Sequence, residues 1–226
     1  LFGYHFLLFL AFRTAPAVQA NLVNYLWPLL IVVLAPLFHK HSRLHFRQVL
    51  AAIAGFSGAV LVMTNGQAID ADFNLGYLAA LASAFIWATY SLMTQRVQPF
   101  HTAAIGYFGF VSGVLSLLCH FTLETPVSLS FSDAALLIWM GLGPLGLAFY
   151  LWDAALKNGN AQHIGLLSFL TPLGSTLLLL IDRQEALTSL VAWAGVLIVG
   201  GAWLGRTSKN QQAANDPQFE IKSSSN

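Results

Sequence analysis

Seven times along the chain, at 15–38, 45–64, 75–95, 102–121, 134–157, 161–181 and 187–205, about twenty predominantly apolar residues follow one another. A helix of that length crosses the hydrocarbon core of a bilayer. Within that core only helices and closed barrels leave no backbone group unpaired. The pattern therefore implies an all-α integral membrane protein with the lipid bilayer as its solvent. Composition agrees, because charged residues are 8% of the 226 and hydrophobic residues 57%, against roughly a quarter charged in soluble domains. Too few charges exist to cover a soluble surface. The first apolar stretch, Leu1 to Phe12, holds 12 residues and would extend only about 18 Å. It is too short to span and reads as one half of a helix.

The loops alternate in charge. One set holds Lys40, Arg43, Arg47, Arg96, Lys157, Arg206, Lys209 and Lys222, eight of the ten basic residues. The other set holds Arg13 and Arg183 with Asp70, Asp72, Glu124, Asp133, Asp182 and Glu185. Basic loops face the cytoplasm, which places the first set and the C-terminus inside. A net charge of +1 without any long basic run gives no footing for a nucleic-acid partner. Cys119 stands alone, so an internal disulfide and a cysteine-based metal site are both excluded. No cofactor or metal is expected.

A long-period repeat runs through the apolar segments. At an offset of 144 residues, NLVNYLWPL (21–29) falls on GLLSFLTPL (165–173), matching Leu22, Leu26, Pro28 and Leu29 to Leu166, Leu170, Pro172 and Leu173. AFRTAPA (11–17) falls on ALKNGNA (155–161), which pairs Arg13 with Lys157. Those two residues belong to opposite loop sets, so the copies point in opposite directions. Inverted repeats are a transporter signature, with the substrate site near the midplane. The expected organisation is 1–73 as the C-terminal part of a first repeat, 74–205 as a second repeat of five helices, and 206–226 as a disordered cytoplasmic tail. By the same offset about 70 residues would precede Leu1. The chain then reads as a fragment of an inverted-repeat bundle, about seven full helices plus one partial.

Pro28 and Pro172 lie near the centres of their helices. A helical proline lacks the N–H that would bond four residues back, which frees the carbonyls of Asn24 and Ser168. Such groups are tolerated at membrane depth where they line a cavity or are buried in protein. A packing kink, with Asn21 and Asn24 as interhelical glue, is the competing explanation. Trp27, Trp87 and Tyr90 fall near mid-depth and are candidates for a pocket wall. Trp139, Trp193 and Trp203 fit an interface belt. Asp153 is the one acidic residue placed inside a helix, a functional candidate by default. It also stands four residues before Lys157, the spacing of a helix ion pair. Ala51, Gly55 and Ala59 form a small-residue stripe, and Gly109/Gly113 and Gly201/Gly205 are GxxxG pairs suited to close helix approach. GLGPLG (141–146) offers a hinge.

NYLWP, AFIWATY, FLTP and the Trp152–Asn160 stretch resemble the drug/metabolite transporter superfamily. The chain is similar over about 1–206 to an EamA-type member close to the aromatic amino-acid exporters. That resemblance implies ten helices as two inverted sets of five, both termini cytoplasmic, in a bacterial inner membrane. It implies export of amino acids or related small metabolites through a central cavity. By residue it points to Asn24, Tyr25, Trp27, Trp87, Tyr90, Trp152 and Ser168 as substrate-binding, with Asp153 as a possible coupling residue. Close exporters are expected to carry asparagine where this chain has Asp153, which leaves coupling open. The alternatives are a carrier of another substrate class and a channel-like or structural membrane subunit. An intramembrane enzyme has little footing, because His5, His120 and His163 lie at different levels and Asp153 has no catalytic partner in the pattern.

Overall fold

The computed structural model describes residues 1–38, 43–68, 74–94, 100–125 and 127–206. These form helices α1 (Phe2–Thr14), α2 (Ala17–Asn24), α3 (Trp27–Phe38), α4 (Phe46–Thr64), α5 (Leu75–Thr94), α6 (Ala104–Leu123), α7 (Phe131–Leu142), α8 (Ala148–Asn158), α9 (Ala161–Leu167), α10 (Leu170–Asp182) and α11 (Ser189–Leu204). No strand occurs among the described residues. Three pairs are continuous in path, α2–α3, α7–α8 and α9–α10. Counted that way, six helical spans are long and apolar enough to cross a membrane, and α11 is a shorter apolar helix of 16 residues. Exposed apolar side chains cover α6 and α7, Tyr107, Phe110, Leu136 and Trp139 among them, as contact with lipid requires. The residues 207–226 expected as a tail lie outside the described residues.

Each interruption has a residue behind it. α2 gives way to α3 at Tyr25–Leu26, just before Pro28, and α9 to α10 at Ser168–Phe169, just before Pro172. One expectation is corrected here. The Ser168 carbonyl is not free, since the Thr171 N–H donates to it at 3.0 Å. The chain tightens by one residue at the break and recovers the bond that Pro172 removes. Between α7 and α8, Gly143–Leu147 forms a π-turn with Pro144 near its start. A widened turn absorbs a proline without ending the helix, and the GLGPLG run, which offered a hinge, supplies that turn. Pro36 lies inside α3, and there the missing donor comes from another helix. Gln162 Nε2 donates to the Val32 carbonyl at 3.2 Å.

The tightest seam joins α4 to α11. A Cβ on Gly201 would lie 2.8 Å from the Ala51 carbonyl oxygen, and one on Gly58 2.8 Å from that of Ala194. Ala51 and Ala59 are fully buried, so the Ala51/Gly55/Ala59 stripe and the Gly201/Gly205 pair do what their spacing implies. Gly109 and Gly113 do not. A Cβ at either would meet nothing within 4 Å, because that face of α6 fronts a cavity instead of another helix. Gly201→Val is therefore expected to lower the thermal unfolding midpoint in detergent, at a cost of about 1–3 kcal/mol from overpacking against backbone. Gly200→Val, whose site is open, should leave the midpoint unchanged.

Candidate functional site

Trp87 on α5 gathers the aromatic residues. Its ring centroid lies 5.0 Å from Tyr4, 5.5 Å from Tyr90, 5.1 Å from Phe149, 5.9 Å from Trp152 and 6.2 Å from Trp27. Trp27 meets Trp152 edge-on at 5.3 Å. These separations lie within the range of favourable ring pairs. Four elements supply them. α1 brings Tyr4, the first turn of α3 brings Trp27, α5 brings Trp87 and Tyr90, and α8 brings Phe149 and Trp152. The break before Pro28 puts Trp27 at the start of a new helix, where its side chain is only partly buried.

Polar groups flank the rings. Trp152 Nε1–H donates to Ser91 Oγ at 3.1 Å, and that hydroxyl donates to the Trp87 carbonyl at 2.8 Å. Asn24, 3% exposed, donates from Nδ2 to the Tyr4 hydroxyl at 3.5 Å and accepts from Ser83 Oγ at 3.3 Å. Ser83, Trp87 and Ser91 thus form one stripe of α5, four residues apart, in which the sequence pattern singled out Trp87 but neither serine. Its signal was the spacing. Serines in apolar helices usually bond their own backbone, and that hides the ones that reach a neighbour.

Of the seven residues that the resemblance pointed to, Trp27, Trp87, Tyr90 and Trp152 come together, and Asn24 adjoins them through Tyr4. Tyr25 and Ser168 lie elsewhere. Tyr25 packs on a separate core of Ala59, Phe169, Leu173 and Ile198, and the Ser168 hydroxyl donates to the Gly165 carbonyl on its own helix.

Three cavities border this region. One of about 670 Å³ lies between α1, α6 and the interrupted α7–α8 pair, with His5, Ser112, Ser116, Phe149 and Tyr150 among its walls. Phe149 and His5, whose rings are 5.6 Å apart, connect it to the Trp87 cluster. Tyr90 lines a smaller one of about 310 Å³. A third, of about 540 Å³, runs between α1 and α6 towards Arg13 and Glu124. There Arg13 and Glu124 pair at 3.0 Å and His120 Nδ1 sits 2.7 Å from the same carboxylate. The hydrogen bond from His120, helped by the Arg13 charge, holds the Glu124 carboxyl below its usual range.

At the opposite end Asp153 is 1% exposed, with Oδ2 2.6 Å from Lys157 Nζ. Lys157 also donates to the Phe100 carbonyl at 2.8 Å and stands 3.8 Å above the Phe100 ring. Asp153 Oδ1 has no hydrogen-bond partner among the described residues. Those residues hold no group of three His, Cys, Asp or Glu placed to bind a metal.

A bundle of apolar spans, two of them interrupted at proline and converging on an aromatic cluster, defines a multi-pass helical membrane protein. The chain belongs to the EamA-like transporter family, whose model matches residues 1–64 and 74–206. A protein named aromatic amino acid exporter YddG from Ancylobacter novellus is 40% identical over 205 residues, covering 89% of this chain and 71% of that one. Its namesake from Escherichia coli K12 is 30% identical, covering 83% of this chain and 66% of that one. The chain thus spans about two thirds of these relatives. One solved crystal structure superposes with a TM-score of 0.80 at 38% identity, covering 90% of this chain and 71% of that one.

Proposed function

We propose that the protein acts as a secondary carrier that exports amino acids, aromatic ones among them, across the inner membrane of a bacterium. The observation that carries this reading is the meeting of Trp27, at the start of an interrupted helix, with Trp87, Tyr90 and Trp152 from two other helices. Flat walls of that kind suit a side chain with a ring or a large apolar group. Relatives that share the family carry the exporter name. Trp27, Trp87, Tyr90 and Trp152 form the centre of the proposed substrate-binding set and Asn24 its polar edge, while Tyr25 and Ser168, which the resemblance also pointed to, stand apart from that group. Asp153 is the proposed coupling group.

The inverted repeat is part of the same reading. It is supported by the two breaks, at Tyr25–Leu26 and Ser168–Phe169, which fall within a residue of the 144-residue offset. The basic loop set supports an orientation with Lys157 and the C-terminus inside. In that frame the cytoplasmic halves are α3 and α9, which pack closely. A Cβ on Gly165 would lie 3.4 Å from the Pro28 carbonyl oxygen and 3.3 Å from Ile31. The cavity beside Arg13 and Glu124 would lie towards the outside.

Counterflow in proteoliposomes tests the proposal. Preloading with unlabelled phenylalanine or tryptophan should accelerate uptake of the labelled amino acid, with saturation. Uptake that neither saturates nor responds to preloading would mean a channel, and inertness to amino acids of every class would mean another substrate.

A further inference from the structure

Pro36 leaves the Val32 carbonyl without its intrahelical donor, and this carbonyl is fully buried where α3, α4 and α9 meet. Gln162 on α9 reaches across to it at 3.2 Å, and Gln48 on α4 in turn donates to Gln162 Oε1 at 3.4 Å. Gln162 and Gln48 are 3% and 4% exposed. The Gln162 amide is thus held in an apolar seam by a vacancy that one proline creates, and Gln48, whose Oε1 also accepts from the His45 N–H at 3.3 Å, braces it. We propose that Gln162 is a gate residue, whose bond to the Val32 carbonyl latches α3 to α9 and closes the Lys157 end of the substrate path. The proposal rests on the carrier reading, because only a carrier needs these two half-helices to part.

The logic lies in what each state offers the carbonyl. With the seam closed, no water reaches Val32, and Gln162 supplies the donor that Pro36 lacks. With the seam parted, water hydrates both the carbonyl and the amide. The bond therefore adds stability to the closed state alone. Removing Gln162 strands a buried acceptor in the closed state and leaves the open state untouched, so the equilibrium moves towards opening. Gln48 holds the amide of Gln162 in the orientation that aims its N–H at Val32, so losing Gln48 should act in the same direction with a smaller effect. Pro36→Ala supplies the position-36 N–H to the Val32 carbonyl from within α3. The carbonyl is then satisfied whether or not Gln162 is present.

The test reads seam opening directly, without transport. In a Cys119→Ser background, Ala35→Cys places a thiol at a position 1% exposed in the core shared by α3 and α9. Its rate of reaction with N-ethylmaleimide in native membranes reports how often the seam parts. Gln162→Met should raise that rate by about 5- to 150-fold, the usual penalty for an unsatisfied buried acceptor. Adding Pro36→Ala should reverse most of the rise, and Gln48→Met should give a smaller rise of its own. A cysteine at Ala59, fully buried in the separate core of α4 and α11, should keep its slow rate throughout.

An unchanged rate in Gln162→Met overturns the latch. So does a parallel rise at Ala59→Cys, which would mean general loosening, and so does a rise that Pro36→Ala fails to reverse. Failure of the carrier reading looks different. It would appear as absent counterflow in the unsubstituted protein, whatever the labelling rates.

Discussion

Lys157→Met is expected to destabilise the protein by about 3–5 kcal/mol, the usual cost of stranding one charge of a buried pair. Asp153 has almost no access to water, and Lys157 Nζ, 2.6 Å away, is its charge partner. The ammonium also holds the Phe100 carbonyl and hydrogen-bonds Thr102 Oγ1 at 3.4 Å. Losing it should therefore loosen the approach to α6 as well as exposing the carboxylate's cost. The double substitution Asp153→Asn with Lys157→Met removes both charges and should recover most of the loss. Thermal unfolding in detergent, followed by tryptophan fluorescence, distinguishes the cases. If Lys157→Met melts with the unsubstituted protein, the ion pair adds nothing to the stability of the fold.

The spans were legible because lipid removes the choices that soluble folds leave open. Each apolar run between charged loops became a helix, and even the start of α7 three residues early has a local cause in the Ser130 cap, whose hydroxyl accepts from the Asp133 N–H at 3.2 Å. The Asp153–Lys157 pair was legible from its spacing. Pro28, Pro144 and Pro172 announced their interruptions, because a proline's missing donor has to be accommodated somewhere. What could not be read was the destination of each side chain beyond an interruption. Tyr25 and Trp27 are two residues apart, yet one packs on Phe169 and the other on Trp87 and Trp152. The turn between them rotates the chain by an amount that no periodicity supplies. Ser168 was expected to expose a carbonyl, and a local tightening satisfied it. The GxxxG motif shows the same limit. Gly201/Gly205 and Gly109/Gly113 carry the same signal, but a small-residue face only permits approach, and whether a helix comes is decided elsewhere in the chain.

Trp87→Ala should cost about 3–5 kcal/mol of stability, at the upper end for core truncations. The ring is 8% exposed and borders five others, from α1, α3, α5 and α8. Its loss opens a void that no single neighbour can fill, since the five rings are spread over four helices. A large stability loss at Trp87 says only that the hub is core. The periphery decides whether the cluster is also a wall. Trp27 and Trp152 are partly exposed and meet edge-on, so each can give a face to a ligand without giving up its packing. Trp152→Phe keeps a ring and discards only the N–H that reaches Ser91, which should cost about 1 kcal/mol of stability. Trp27→Ala should weaken binding of an aromatic amino acid about 5- to 150-fold, corresponding to about 1–3 kcal/mol, measured by titration of purified protein. Its melting midpoint should fall less than that of Trp87→Ala. If Trp27→Ala instead melts as early as Trp87→Ala while the folded fraction keeps its affinity, then all four rings are core. The substrate would then belong in the 670 Å³ cavity between α1, α6 and α7–α8, where His5, Ser112 and Tyr150 would be the next residues to replace.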